Sequence, residues 1–352
     1  MNIIGQIRNI KYKPILCDQL PKVRENNFDY ALESMGAFIL EHSNGDIAIS
    51  KWVSAKRTRS YPYARVYNTL NWSGKKVTII PIFKDEGKDG DRDFLQFDTI
   101  SLMSLLQVYV IIAYYADARK NNRYQNKITD QKFDSKYVSI KLKEVTSFVS
   151  DALHWNMEQL EEVGSIADIA SVSYKRISEN LGVEMHSEKS QIGKIKLLQK
   201  GIENFKEASR TSAILAQQRE AVTVQPKEVL EGEKATITIR NFYNGFYAFT
   251  VDECFIDSGS IYLIEGKHSK NADIPGIDDI KDALLKMILY CNLNEVKFNG
   301  SVYDVVPVLK LTSSSKKKFD LLGEQDRKII EALIKEAKEN GFRVKLNDIY
   351  LC

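Results

Sequence analysis

Two runs of consecutive apolar residues constrain the fold more than any other feature of this sequence. They are VTIIPIF at 77–83 and VYVIIAYY at 108–115, and both are rich in β-branched side chains. Strands of this kind are typical of sheets that helices cover on both faces, whereas half-exposed strands alternate apolar and polar residues. Between them, FDTISLMSLL at 97–106 has the apolar spacing of a helix. The chain is therefore predicted to fold as an α/β protein with a mixed sheet of the α+β kind.

Three regions follow one another along the 352 residues. Residues 1–116 read as an α/β region that includes a hairpin at 37–53, where an Asn-Gly pair suits the positive φ angles of a type I′ turn. Residues 117–225 are polar and helix-forming, and we interpret them as a mainly helical connector. Residues 226–352 return to strands. With the preceding helix, the predicted order there is helix, three strands, helix, strand.

Composition excludes several classes of protein. Four cysteines without a CxxC pair, together with four histidines, argue against a zinc–thiolate site and against a disulfide scaffold. The N-terminus lacks the apolar core of a signal peptide, and no apolar run approaches the ~20 residues of a membrane span. We expect a cytoplasmic protein that does not enter the membrane. The net charge of +3, from 50 basic and 47 acidic residues, indicates a polyanionic partner only if it is locally concentrated.

The residues that carry chemistry lie in VDECFIDSGSIYLIEGK at 251–267. If a hairpin closes around Asp-Ser-Gly-Ser, Asp252 lies directly opposite Glu265, with Cβ atoms ~4.5–5.5 Å apart. Lys267, two residues further along the strand, shares the face of Glu265. Two close carboxylates favour a cation between them, and oxygen ligands suit Mg²⁺ or Mn²⁺. The carbonyl oxygen of Gly266 is a candidate third ligand.

Asp252, the hairpin and Glu265-Gly266-Lys267 resemble the PD-(D/E)xK nuclease motif, and the element order over about 185–311 resembles the core of that superfamily. The size and layout of the chain resemble a type II restriction endonuclease. The resemblance implies Mg²⁺-dependent cleavage of double-stranded DNA, with Mn²⁺ as a substitute. It also implies that Asp252 and Glu265 are metal ligands and that Lys267 is the catalytic lysine. Val251 stands where the motif has its proline.

The string ExK also begins at Glu86, Glu295 and Glu336. Glu86 lies in an acidic, glycine-rich loop between strands and is the strongest competitor of Glu265. Glu336 belongs to an amphipathic helix and is expected on its solvated face, and Glu295 follows a helix without an acidic partner strand. Only Glu265 has an aspartate opposite it in the expected register.

Other carboxylates near the hairpin remain alternatives. Asp257 is the main rival ligand, although an aspartate at that place is expected to cap the turn. Glu253 is expected to point to the opposite face from Asp252. Glu203 or Glu220, upstream of the strands, could complete the site. The alternative for the whole cluster is a solvated hairpin face whose charges pair with one another.

Local positive charge is found at residues 51–76, which hold seven basic and no acidic residues, interleaved with aromatic ones. Basic side chains neutralise phosphates, and arginines and flat rings reach or stack on bases. The predicted DNA contacts are Lys56, Arg57, Arg59, Tyr63 and Arg65, with Lys270 near the active strand. The alternative is a basic loop whose aromatic residues belong to the core. A second basic stretch at 119–143 is partly offset by acidic residues and is interpreted as a solvated face.

Three functions are compatible with these residues. The first is a site-specific restriction endonuclease, expected to be a homodimer if its site is palindromic and to have a DNA methyltransferase gene as its neighbour. The second is a repair or mobile-element nuclease that reads DNA structure. The third is a catalytically inactive DNA-binding protein with a nuclease-like fold.

Overall fold

A computed structural model describes residues 1–43, 45–56, 60–187, 233–241 and 246–352. The chain divides into two compact units. The middle unit contains the described residues between Gln19 and Arg210. The split unit combines Met1–Asp18 with the described residues from Thr211 to Cys352.

The elements of the two units follow one another along the chain. The split unit begins with β1 (Asn2–Ile7). The middle unit contains β2 (Lys22–Arg24), α1 (Phe28–Ser34), β3 (Ala37–Glu41), β4 (Ile47–Lys51), α2 (Pro62–Tyr67), β5 (Lys76–Pro81), β6 (Phe83–Asp85), β7 (Arg92–Phe94), α3 (Phe97–Leu105), β8 (Tyr109–Ala113), β9 (Tyr115–Lys120), β10 (Ile128–Phe133), α4 (Ser135–Ser147), α5 (Ala152–Glu161) and α6 (Val163–Leu181). The split unit continues with β11 (Glu233–Asn241), β12 (Phe246–Asp257), β13 (Ser260–Ser269), α7 (Ile277–Cys291), β14 (Asn294–Phe298), β15 (Ser301–Ser313), α8 (Glu324–Asn340), β16 (Arg343–Leu346) and β17 (Ile349–Tyr350).

The middle unit is built on a mixed five-stranded sheet in the order β2-β3-β4-β5-β8. Strands β4, β5 and β8 run parallel, and both apolar runs that predicted an α/β fold are here. The predicted hairpin at 37–53 is present, since β3 and β4 pair antiparallel from Ala37–Ser50 to Leu40–Ile47. Residues Val110–Ala113 of β8 are fully buried, as expected of a strand with helices on both faces. The α/β prediction is therefore confirmed for this unit.

The region predicted as a helical connector has a different structure in its described part. Strands β9 and β10 form an antiparallel pair, in which Tyr115 stacks on Phe133 with ring centroids 4.4 Å apart. Helices α4, α5 and α6 pack against β8 and β9. Residues 117–187 thus belong to the core of the middle unit and do not connect two separate α/β regions. Residues 188–225 of the predicted connector lie outside the described residues.

The split unit contains the predicted three strands, helix and strand. β11, β12 and β13 form an antiparallel meander, α7 follows, and β15 pairs parallel with β13 from Ser260–Asp304 to Ser269–Ser313. The helix predicted to precede β11 lies outside the described residues. α7 packs on β13 and β15.

Two strands of this unit were not predicted. β1 pairs parallel with β11 and antiparallel with β14, and β14 pairs antiparallel with β15. Because β15 also pairs with β13, the strands in the order β13-β12-β11-β1-β14-β15 form a closed ring of hydrogen-bonded neighbours. β16 pairs with β15, and β17 pairs with β16. The predicted boundary at residue 226 therefore differs from the structure, where the first strand of the chain belongs with its last third.

In the described parts of the chain, no helix combines the length and the apolar character that crossing a bilayer requires.

Candidate active site

The β12–β13 hairpin has the predicted register. Its paired residues run from Asp257–Ser260 to Glu253–Ile264, and continuing the same register places Asp252 opposite Glu265. Ser258 and Gly259 form the turn with φ angles of 48° and 83°, so both central residues are left-handed, as a two-residue hairpin turn requires.

A bulge in β12 lies at the predicted metal ligand. Glu233 and Ala235 of β11 pair with Cys254 and Val251, so one residue between the pairs on β11 lies opposite two on β12. The extra residue falls at Asp252–Glu253. Bulges redirect side chains and are common beside active sites. Here the carboxylate of Asp252 accepts a hydrogen bond from the Gly266 N–H at 2.9 Å, which joins the two halves of the motif directly.

Glu265 is the buried centre of the site, with 1% of its surface exposed. Its Oε2 lies 2.6 Å from Nζ of Lys286, and its Oε1 lies 3.3 Å from Nζ of Lys267. Burial, followed by the repulsion of Asp252, raises the pKa of Glu265 to about 7, although the two lysines oppose the shift. A carboxyl group with this pKa changes its charge near neutral pH, and any further cation that approaches it stabilises the ionised form.

Lys267 is held between two carboxylates. Its Nζ donates to Oδ2 of Asp282 at 3.0 Å and also lies beside Glu265. Burial lowers the pKa of Lys267, but Glu265 and Asp282 more than offset this, so the net pKa is raised and the side chain is an ammonium at neutral pH. As a fixed cation, it can stabilise charge that develops on an oxyanion.

Helix α7 contributes three side chains that the sequence reasoning missed. Asp282, Lys286 and Tyr290 are spaced by four residues and therefore share one face of the helix. The apolar face of this helix accounts for its packing on the sheet and does not by itself indicate a site. The available signal was Lys286 itself, a single charge within the apolar run LLKMILYC.

Tyr290 is fully buried beside the carboxylates. Its ring stacks on Phe249 with centroids 5.5 Å apart, and its hydroxyl has no hydrogen-bond partner among the described residues. Burial, followed by the negative charge of Glu265 and Asp252, raises its pKa well above the ordinary value. Tyr290 is therefore a neutral phenol whose hydroxyl can still donate one hydrogen bond.

The rival carboxylates are used elsewhere. Asp257 is exposed in the turn, where its Oδ1 accepts from the Ser258 hydroxyl at 3.0 Å, in agreement with a turn role. Glu253 is buried and pairs with Lys310, with Nζ 3.2 Å from Oε1. Glu203 and Glu220 lie outside the described residues.

The other ExK glutamates have partners of their own. Glu86 pairs with Lys84 at 3.0 Å and with Lys127 at 3.3 Å, and Glu295 pairs with Arg8 at 2.6 Å. The expectation that Glu336 lies on a solvated face was wrong. Glu336 is fully buried and accepts hydrogen bonds from the Tyr12 hydroxyl and from the amides of residues 15 and 16, at 2.7–2.9 Å. It fastens the N-terminal segment to α8.

The carboxylate pair fits a magnesium ion in its chemistry. Over the described residues, no three histidine, cysteine, aspartate or glutamate side chains are grouped so as to hold a metal by themselves. Mg²⁺ does not need such a cage, because it keeps several waters and commonly takes one or two carboxylates together with oxygens of the substrate. Asp252 and Glu265 supply two such ligands, and the Gly266 N–H donates to Oδ2 of Asp252, so the two ligand-bearing segments are in direct contact.

The predicted DNA contacts at 51–76 are contradicted in part. Tyr63 is only 3% exposed and packs edge-on against the buried Trp52, so its ring cannot stack on a base. Arg65 donates to the carbonyl of Lys51 at 2.8 Å within the fold. Lys56 is half exposed but pairs with Asp93 at 2.6 Å. Arg57 and Arg59 lie outside the described residues. Lys270 is exposed, and its contact with DNA remains a prediction.

Two lysines of the same stretch bind the ends of helices. Lys51 donates to the carbonyls of Leu32 and Glu33 at the end of α1. Lys75 donates to the carbonyls of residues 145, 146 and 148 at the end of α4, at 2.5–3.1 Å. The last carbonyls of a helix have no partner within it, so a lysine there satisfies them and complements the helix dipole. The positive charge on the described residues of this stretch is therefore largely used by the fold.

Comparison of the chain with models of protein families, with curated proteins and with solved structures found no match.

Proposed function

We propose that the split unit is a Mg²⁺-dependent nuclease of the PD-(D/E)xK type that hydrolyses double-stranded DNA at a short specific sequence. The observation that carries the proposal is the joining of Asp252 to the Glu265-Gly266-Lys267 segment at a bulge in β12. The meander β11-β12-β13, the helix α7 and the parallel strand β15 agree with the core that the motif implies. Mn²⁺ would substitute for Mg²⁺ at an all-oxygen site.

The chain's own residues have distinct tasks in this proposal. Asp252 and Glu265 would hold the metal, with the Gly266 carbonyl as the candidate third ligand. When bound, the metal supplies an acidified water and neutralises charge on the phosphodiester. Lys267, kept charged by Asp282 and Glu265, stabilises the developing negative charge on the phosphate oxygens. Lys286 holds the Glu265 carboxylate in one orientation through its 2.6 Å contact.

A plasmid cleavage assay tests the proposal. Purified protein is incubated with supercoiled plasmid and MgCl₂, and with MnCl₂ in parallel, and the products are separated on a gel. Discrete bands are expected from the wild type, and Glu265→Gln, Lys267→Met and Asp252→Asn are each expected to lose at least about 100-fold of the rate. Asp257→Asn, which changes the exposed turn carboxylate, serves as the matched control and is expected to cut like wild type. Loss of activity in Asp257→Asn with retention in Asp252→Asn would show that the ligand assignment is wrong.

A second function has one observation in its favour. Lys267 and Lys286 already bring two positive charges to Glu265, an arrangement that can serve as a buried structural ion cluster without a metal. A DNA-binding protein with an inactive nuclease-like unit would have such a cluster. This inactive form would give no cleavage with either metal. Preference for branched DNA over plasmid would instead indicate a repair or mobile-element nuclease.

The remaining expectations depend on which nuclease this is. A palindromic cleavage site would require a homodimer, because a two-fold symmetric site is read by a two-fold symmetric protein. A methyltransferase gene beside this one would support restriction. A cytoplasmic location follows from the same biology and remains a prediction.

A further inference from the structure

The β9–β10 pair forms a small antiparallel ribbon in the middle unit. It is a two-stranded sheet of its own, with register from Ile128–Lys120 to Phe133–Tyr115. One end is anchored in the core by the stacked, buried rings of Tyr115 and Phe133. Residues 121–127, Asn-Asn-Arg-Tyr-Gln-Asn-Lys, join the strands at the other end, and we call them the ribbon tip.

The backbone of the ribbon tip is fixed, although several of its side chains are exposed. The Asn121 carboxamide oxygen accepts from the amides of Arg123 and Tyr124 at 2.8 and 3.1 Å. Asn126 exchanges two hydrogen bonds with Asp89, through its carbonyl at 3.0 Å and its amide at 2.8 Å. Arg123 and Tyr124 are exposed, Tyr124 to 55%. A fixed backbone with protruding side chains is what preorganised recognition requires.

Charge and shape at the ribbon tip suit a phosphodiester backbone. Residues 115–133 contain five basic and two acidic side chains. An open hollow of about 440 Å³ beside the tip is lined by residues of the ribbon, which apart from Tyr124 are polar or charged and include Arg119, Lys120 and Arg123. Among the lining residues these three cations face one acidic residue, Asp130, which pairs loosely with Arg119 at 3.8 Å.

We propose that the ribbon tip is the element that contacts duplex DNA in the major groove, and that it takes the place of the 51–76 stretch as the recognition surface. A two-stranded β-ribbon fits the major groove of B-form DNA. Arg119 and Arg123 would neutralise phosphates, and Lys120, whose Nζ also lies 3.3 Å from the Gly182 carbonyl at the end of α6, would add a third positive charge. The exposed side chains of Asn122, Arg123 and Gln125 are of the types that form paired hydrogen bonds with adenine or guanine edges.

Duplex RNA fits this surface less well. The major groove of A-form RNA is deep and narrow, so a ribbon with a fixed backbone cannot enter it. An acidic protein would be attracted by the same cations, but amide side chains beside them favour base edges. The role in sequence choice rests on the proposed nuclease function, while the contact with DNA does not.

A binding assay without cleavage tests the contact. Fluorescence anisotropy of a labelled 30-base-pair duplex of mixed sequence is measured in EDTA between about 50 and 200 mM NaCl for the full chain. The slope of log K against log salt is negative, and each phosphate contact adds about 0.9 to its magnitude; all slopes below are magnitudes. The triple variant Arg119→Gln, Lys120→Gln, Arg123→Gln is expected to lower the slope by about 2–3 and the affinity at 100 mM salt by about tenfold or more.

The matched control is Lys136→Gln, Lys143→Gln, Lys175→Gln. It removes the same charge from exposed positions on α4 and α6 of the same unit, and its slope is expected to stay within about 0.5 of wild type. The single variant Arg123→Gln, changed at an exposed side chain of the tip, covers the case in which the triple variant does not fold. It should lower the slope by about 1.

Each outcome decides between the proposals. Equal slopes in wild type and the ribbon variants, absence of binding by the wild type, or tighter binding of a matched RNA duplex would overturn the ribbon assignment. Binding that depends on the ribbon, without cleavage in Mg²⁺ or Mn²⁺, would leave the assignment intact and reject the nuclease. If the ribbon variants still cleave DNA and bind it as tightly as wild type, the nuclease proposal stands and the ribbon assignment is rejected.

Discussion

Replacing Lys286 by methionine tests the electrostatics at the centre of the site. The substitution keeps the length and apolar packing of the side chain and removes the ammonium that lies 2.6 Å from Oε2 of Glu265. Glu265 then keeps only Lys267, at 3.3 Å from its other oxygen, and still faces Asp252. Glu265 is buried, so its carboxylate cannot recover the lost interaction from water. The variant is expected to keep Glu265 protonated at a pH where the wild type ionises.

The sign and size of the effect follow from linkage. The pKa of Glu265 is raised from an ordinary 4.5 to about 7 in the folded protein. The stability that comes from its proton is complete below pH 4.5 and is lost as the pH rises through 7, a loss of about 3 kcal/mol at ~1.4 kcal/mol per unit of pKa. In Lys286→Met the folded pKa is higher still. The free energy of unfolding should therefore keep falling above pH 7, by about 1.4 kcal/mol per pH unit, where the wild type levels off.

Hydrogen exchange of peptides from β13 and α7 measures this difference. Opening free energies are compared at pH 5.5, 7 and 8.5 in EDTA, after correction for the intrinsic exchange rate. Wild type and Lys286→Met should differ least at pH 5.5 and most at pH 8.5. The double variant Glu265→Gln, Lys286→Met removes the titrating group and should show no extra slope. A constant difference between Lys286→Met and wild type across the three pH values would refute the reasoning.

Three further predictions concern other features of the molecule. Mg²⁺ affinity should rise about tenfold per pH unit up to pH 7 and level off above it, because Glu265 must lose its proton to bind the metal. Calorimetric titration measures this affinity, and Glu265→Gln should show no such pH dependence. Glu336→Gln should lower the free energy of unfolding by about 2–4 kcal/mol, because the buried carboxylate accepts three hydrogen bonds, and the amides of residues 15 and 16 should exchange faster if it does. Lys75→Met should lower the free energy of unfolding by about 1–3 kcal/mol, because it removes the donor to three carbonyls at the end of α4, and the melting temperature should fall accordingly. Lys76→Met loses one long contact at 3.4 Å and should lower both by less.

The sequence was sufficient where the determining interactions are local. The register of the β12–β13 hairpin follows from a short turn with glycine and from the apolar pattern on either side, both contained within 17 residues. The two buried runs of the middle unit were recognisable because continuous β-branched residues have few alternatives to a covered strand. The order of three strands, helix and strand followed from the same kind of signal.

The sequence was insufficient where a residue's partner is distant or where polar residues have a structural task. β1 and β14 are short, and their pairing depends on strands far along the chain. The ribbon β9–β10 carries few apolar residues, so its polar strands resemble a helix or a loop in composition. Lys51 and Lys75 look like free cations in the sequence. In the structure Lys51 donates to a helix end 18 residues away, and Lys75 donates to one that is at least 70 residues away. Lys286 was hidden by its apolar neighbours, because periodicity assigns a helix face and does not reveal one ion pair within it.

The position of β1 has a consequence for how the protein is made. Its strand lies between β11 and β14, and Thr236 bonds the Asn2 side chain across a separation of 234 residues. During synthesis the first strand therefore stays without these partners until the whole middle unit has been made. Closing such a long loop is entropically expensive and slow. The split unit can be completed only after the residues inserted into it have been made, so the β9–β10 ribbon is synthesised before the strands that hold Asp252, Glu265 and Lys267.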